Sequence, residues 1–427
     1  MSSDSDRARV AVGAETSPAV RFRIDSIDVL RGIVMVIMML DHTRDFVHSQ
    51  GLFGDPTNLQ TTTPLLFLTR WITHFCAPVF IFLAGTGAYL QWSRRKNKAA
   101  LSKFLLTRGL WLIFLECTAV KLGAFFTLDY RFIGFFQVIW AIGVSMIVLA
   151  GLVHLPLSVI AAFGLAMIGL HNFLDRIHVP VWFGPPAPSP GWKQALWMLL
   201  HQQGGFQLFG SGPFIAVVYP LIPWIGVMAV GYAFGALYQL EAKRRRRLLL
   251  ILGGVVTGLF VLVRFINRYG DPSHWRTQKS GLFTVLSFLN TTKYPPSLLF
   301  LLMTLGPALL ALAWFEFGAP AAGSSSLGGK VRNIFVTYGR VPLFFYLLQW
   351  PTAHLISVLL HLIAGKPVRW LFMSPLDLFS NPPPQGIGFN LGIVYVAWLI
   401  GVVLLYPLCK WFAGVKARRR DWWLSYL

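Results

Sequence analysis

The sequence predicts an all-α fold: a polytopic integral-membrane bundle of about ten transmembrane helices, with both termini on the cytoplasmic side. Three observations carry this expectation. Of 427 residues, 55% are hydrophobic and 12% charged, against roughly 25% charged in an ordinary soluble domain, and the mean hydropathy is +0.61. Apolar runs of roughly 20 residues recur, the length that crosses a hydrocarbon core of about 30 Å. The runs lack the alternation of barrel strands, and a spanning segment must satisfy its own backbone hydrogen bonds, so they read as helices. Finally, lysines and arginines crowd into short connections on one side, as cytoplasmic connections do.

The spans fall near 27–46, 71–92, 104–125, 132–153, 156–174, 213–240, 248–267, 296–316, 333–364 and 389–413. They define a membrane domain over 23–412, preceded by a disordered cytoplasmic tail (1–22) and followed by a basic, aromatic cytoplasmic tail (413–427). The run 333–364 is long for one crossing. Pro342 and Pro351 kink it, or its first part lies in the interface. The first 20 residues hold no signal-peptide core, so the first span is retained. Cys76, Cys117 and Cys409 are far apart, with neither disulfide nor metal spacing, and no metal is expected.

With the N-terminus inside, 24 of the 37 Lys and Arg residues fall on cytoplasmic segments. The weak link is the turn at His154, placed inside without a basic residue. The net charge of +21 then reflects orientation and contact with anionic membrane lipid, and nucleic acid is not an expected partner. Outer connections at 175–212, 268–295 and 365–388 are rich in Pro and aromatic residues. They suit a lid or substrate-facing surface, and an interfacial aromatic belt equally. No internal repeat is visible, so an inverted-repeat transporter gains no support.

Charged groups inside a membrane are costly and therefore informative. The densest set is on the first span: Asp28 and Arg31 at its cytoplasmic edge, then Asp41, His42, Arg44 and Asp45 towards the outside. Arg31 and His42 are eleven residues apart, about 16 Å along a helix and close to three full turns, so they share a side. An imidazole there can move a proton or act as nucleophile. Asp45, at i+3 from His42, is better placed to orient it than the adjacent Asp41. The same four residues also suit a satisfied polar cap. His74, entering the second span at similar depth, is a partner for His42 or a hydrogen-bonded core residue. The small run Ala84–Ala88 reads as a packing surface. Inside, the patch of Arg94, Arg95, Lys96, Lys98 and Arg108, together with Arg340, suits phosphate binding. Orientation and snorkelling explain the same residues, and wholly explain Lys243–Arg247.

The stretch from Asp28 to Asp45, with Thr69–Phe80, Leu83–Thr86, Phe288–Ser297 and Gly339–Tyr346, resembles bacterial members of the heparan-alpha-glucosaminide N-acetyltransferase catalytic-domain family. Arg31 and His42 also fit the Arg/Lys-x10-His spacing of the wider transmembrane acyltransferase group. The lysosomal member has asparagine where this chain has His42. The resemblance implies transfer of an acyl group, usually acetyl, from cytoplasmic acetyl-CoA or another acyl-CoA to a sugar or glycan acceptor beyond a bacterial inner membrane. It makes His42, Asp41, Asp45 and His74 the candidate catalytic residues. His42 is then either general base or acyl carrier. Arg31, Arg108 and Arg340 become the candidate holders of the CoA phosphates. The oligomeric state is left open, a homodimer included. A reading from a different class is a proton-coupled or anion transporter with Asp41, His42 and His74 as relay. The off-centre position of the cluster favours the enzyme.

Overall fold

A computed structural model describes residues 24–51, 54–180, 190–210, 212–317, 326–384, 386–419 and 421–427. The tail 1–22 and the Pro- and Trp-containing stretch 181–189 lie outside the described residues. The chain is mostly helical: α1 (Asp25–Val47), α2 (Pro64–Thr73), α3 (Cys76–Arg95), α4 (Lys98–Leu115), α5 (Lys121–Phe125), α6 (Val138–Leu152), α7 (Leu157–Leu170) and α8 (Trp192–Leu200). There follow α9 (Leu221–Phe234), α10 (Ala242–Ile266), α11 (Gly281–Leu289), α12 (Leu298–Glu316), α13 (Leu327–Arg340), α14 (Pro342–Ile363), α15 (Pro375–Ser380) and α16 (Leu391–Arg418). Among the described residues, seven helices are long and apolar enough to cross a membrane. They are Pro64–Arg95, Leu157–Arg176, Leu221–Gln239, Ala242–Ile266, Leu298–Glu316, Pro342–Ile363 and Leu391–Arg418.

Starts are set locally. Thr63, Asn97, Ser297 and Asn390 each accept a backbone N–H of the first turn, at Leu66, Ala100, Phe300 and Ile393, satisfying donors the helix cannot. α1 carries six charged residues (Asp25, Asp28, Arg31, Asp41, Arg44 and Asp45) and is also central, with most of its residues buried. That placement follows, because its carboxylates and guanidinium groups find partners only inside the protein. Peripheral helices show the opposite: α10 and α16 expose Val255, Leu259, Leu262, Val403 and Leu404, apolar rows that need lipid.

α13 lies against α1 at backbone distance. A Cβ on Gly32 would sit 1.9 Å from the Phe335 carbonyl oxygen, and one on Gly339 would sit 1.9 Å from that of Asp28. The long run 333–364 is two helices. The chain breaks at Val341 (φ −132°, ψ 49°), and Pro342 opens α14, where its missing N–H costs nothing. Pro351 lies within α14, which continues through it.

Two apolar runs read as spans begin as strands. β1 (Phe132–Phe136), β2 (Gly204–Gln207) and β3 (Phe214–Val217) form a sheet in the order β1-β3-β2, with β1 parallel and β2 antiparallel to β3. The register pairs Phe132 with Phe214 and Phe206 with Ile215. This corrects the purely helical expectation. A four- or five-residue strand that runs straight into an apolar helix has no periodicity of its own to read. At the other end, α16 continues to Arg418, past the boundary drawn at 412.

Candidate functional site

At the Val47 end of α1 lies a chamber of about 690 Å³. Four of the five connections that the sequence placed outside contribute to it, through Thr57, Gln203, Lys293 and Leu378 among others, and Phe125, Phe135 and Gln137 flank the fifth. Asp41, His42, Asp45 and His74 all line it, so the structure brings the four candidates to one space.

Their pairing differs. Asp41 is a charge hub. Arg44 Nη2 donates to Asp41 Oδ1 at 3.1 Å, Arg70 donates to Oδ2, and Lys293 Nζ stands 3.9 Å from the same oxygen. Arg44 also donates to Asp45 Oδ1 at 2.5 Å. Two carboxylates thus face three cations in a buried space, which offsets most of a charge that would be prohibitive alone. His42 stands beside this hub with its ring 3.8 Å from that of Trp350, tilted by 36°. Its Nδ1 lies 3.9 Å from Asp45 Oδ2 and makes no hydrogen bond. Asp45 is therefore the carboxylate beside the imidazole, while Asp41 is taken up by cations. His74 is buried, 5.3 Å from the Phe300 ring, and its Nδ1 also lacks a partner.

The loop carrying Lys293 is braced from behind. Asp271 accepts from Thr292 N (2.9 Å), Thr292 Oγ1 (2.9 Å) and Ser297 Oγ (2.6 Å). Arg264, 1% exposed, donates to the carbonyls of Ser273 (2.7 Å), Ser287 (3.0 Å), Phe288 (2.9 Å) and Asn290 (2.6 Å). Next in sequence to the lining residues Pro375 and Leu378, Asp377 is joined to Asp129 by Arg131 (3.0 and 2.7 Å). Hydrogen bonds from Arg131 hold the Asp129 carboxyl down to about 2.

A second chamber of about 300 Å³ lies towards the other end of α1. Arg31 and Arg108 line it. Arg31 donates to Asp28 Oδ1 (3.3 Å) and to the Gly339 carbonyl (3.2 Å). Arg108 donates to the Ser425 carbonyl, and Tyr426 OH meets Thr107 Oγ1 at 2.7 Å, so the chain after α16 folds back over this mouth. Arg340 is exposed and is not part of the lining.

The two chambers are one helical turn apart on each of two helices. On α1, Met38 lines the smaller chamber and His42 the larger; on α14, Tyr346 lines the smaller and Trp350 the larger. The start of α6 completes the wall, with Gln137 on the side of the larger chamber and Ile139 on that of the smaller. Buried Glu116, in a π-helical turn after α4, accepts from Trp140 N at 3.0 Å and fixes that start.

Arg70, Lys293 and Trp350 were not singled out from sequence as site residues. Arg70 and Lys293 do stand in the blocks that carry the resemblance, which was the available signal. Trp350 gave none beyond its position before Pro351. Among the described residues, no group of three or more His, Cys, Asp or Glu side chains is placed to hold a metal.

No curated protein matches the chain. The family model described as "Heparan-alpha-glucosaminide N-acetyltransferase, catalytic" matches residues 23–266, more than half of the chain, including α1 through α10 and the strands. The resembling blocks at 288–297 and 339–346 lie beyond the matched region, yet Lys293 and Tyr346 belong to the two chambers. The chain belongs to the heparan-alpha-glucosaminide N-acetyltransferase catalytic-domain family, a family of membrane acetyltransferases.

Proposed function

We propose that this protein transfers an acyl group, acetyl in the first instance, from cytoplasmic acyl-CoA to a sugar or glycan acceptor on the opposite side of the membrane. The observation that carries this reading is the pair of chambers facing each other across one turn of α1 and α14, with His42 at the boundary. The inner chamber, with Arg31 and Arg108 at its lining, receives the donor. The outer chamber, lined by four of the five outer connections, receives the acceptor.

His42 takes the proton from the acceptor hydroxyl or amine as that group attacks the thioester carbonyl. The new O–C or N–C bond forms, the C–S bond breaks, and CoA leaves as the thiol after recovering the proton. Asp45 steadies the imidazolium formed in between, and Trp350 holds the ring in place. Asp41, bound by Arg44, Arg70 and Lys293, keeps those cations fixed around the reacting groups. A relay through Asp41, as a transporter needs, is not favoured by a carboxylate held from three sides.

The proposed topology has ten spans, adding α1, α4 with α5, and α6 to the seven apolar helices, and both termini in the cytoplasm. Lys98 supports the sidedness: its Nζ donates to the carbonyl of His154 at 3.2 Å, so the turn without basic residues lies beside the basic patch. The plasma membrane of a bacterium is the proposed location. To test the function, membranes containing the protein are incubated with radiolabelled acetyl-CoA. Label is expected in the glycan fraction, and label confined to free acetate would contradict the reading.

A further inference from the structure

The run Ala84–Ala88 on α3 reads from sequence as one packing surface, but its two glycines face different surroundings. A Cβ on Gly85 would lie 2.1 Å from the Met228 carbonyl oxygen, so this glycine is required by the contact with α9. A Cβ on Gly87 would meet nothing within 4 Å. Gly87 instead lines the inner chamber, on a stripe with Phe80, Ala84 and Gln91, the helical spacing of a single face. Glycine inside a helix is destabilising relative to alanine, and packing gives no reason to keep it here. The same chamber holds a polar group in need of a ligand. Tyr346 is 4% exposed and lines the inner chamber; the Trp350 indole N–H beside its hydroxyl can only donate, so the hydroxyl proton has no acceptor. Burying a hydroxyl unpaired is costly, and the remainder of the lining is largely aliphatic, Met35, Met38 and Leu112 among it.

We propose that Gly87 gauges the donor. It leaves open the lane along α3 in which the acyl-thioester arm of the donor lies, and the Tyr346 hydroxyl donates a hydrogen bond to a carbonyl of that arm. The inference rests on the acyltransferase reading and adds to it the residue that sets what fits and the residue that anchors it. Side chains added at Gly87 fill the lane without touching His42, Asp45 or the outer chamber.

The test uses the full-length protein purified in detergent, with acetyl-CoA binding measured by calorimetry, acetyl transfer to glucosamine, and thermal unfolding. Gly87→Leu is expected to weaken acetyl-CoA binding at least tenfold, with the KM for glucosamine unchanged and unfolding at or above the wild-type temperature. Tyr346→Phe is expected to weaken acetyl-CoA binding about fivefold, the value of one neutral hydrogen bond. Gly85→Ala, by contrast, should lower the unfolding temperature. If Gly87→Leu fails to fold, Ala84→Leu on the same stripe takes its place with the same expectation. Folded Gly87→Leu or Ala84→Leu protein that binds acetyl-CoA as the wild type does would overturn the gauge and leave the acyltransferase reading standing. Wild-type protein that binds no acetyl-CoA would overturn both.

Discussion

Asp41 is surrounded by Arg44, Arg70 and Lys293, and its burial makes each partner count. Removing one side of a buried ion pair leaves a charge uncompensated, at a cost of about 3–5 kcal/mol. Asp41→Asn should therefore lower the unfolding temperature markedly, because three cations are left facing Asp45 alone, and adding Arg70→Ala should recover part of the loss. Equal unfolding temperatures for wild type and Asp41→Asn would show that the hub carries no such burden. Asp41, His42, Asp45 and His74 were legible in the sequence because an ionisable group in an apolar span is conspicuous. Their partners were not. Arg70 meets Asp41 across 29 residues and Lys293 across more than 250, and Trp350 reaches His42 only because α14 packs on α1. Adjacency in sequence also suggested Asp41 for the imidazole as an alternative, whereas helix geometry gives Asp45 that place.

Among the helices, the contact of α13 with α1 is the tightest test of how the bundle is built. Gly339→Ala puts a methyl carbon on the Asp28 carbonyl, and overpacking of this kind costs typically about 1–3 kcal/mol. The expected outcome is a lower unfolding temperature together with weaker acetyl-CoA binding, since Arg31 also donates to the Gly339 carbonyl. Unchanged stability would mean that the helices can part freely. Arg131 bridges Asp129 to Asp377, which neighbours the lining residues Pro375 and Leu378. The Asp129 carboxyl is depressed from 3.8 to about 2, so the bridge is complete above about pH 4 and is lost only as pH falls towards 2. Arg131→Ala should raise the acceptor KM severalfold at most, Arg131 and Asp377 being exposed, and by the same factor at pH 5 and pH 8. A factor that differs between these pH values would show that another group controls the acceptor KM. Pro342 announced the break between α13 and α14, but nothing announced β1 or β3, whose apolar residues merge with the helices that follow.

For the whole molecule, the seven long apolar helices were legible because burial in lipid imposes length and composition, while the chambers, which arise from how helices cross, were not. The proposed sidedness rests on the distribution of basic residues and on Lys98 beside the His154 turn. Cysteines placed at Ser93 and Ala242 should react only with membrane-permeant thiol reagents, and one at Ser273 should react with impermeant ones. The reverse pattern would invert the topology. The most direct measurement uses proteoliposomes of defined orientation, with labelled acetyl-CoA supplied on the Ala242 side and glucosamine on the Ser273 side. Wild-type protein should acetylate glucosamine across the bilayer. His42→Gln, which keeps a hydrogen-bonding side chain but cannot take up a proton, should lose at least the 10²–10⁴-fold typical of a missing general base. Near-wild-type transfer by folded His42→Gln protein would contradict the central role given to His42.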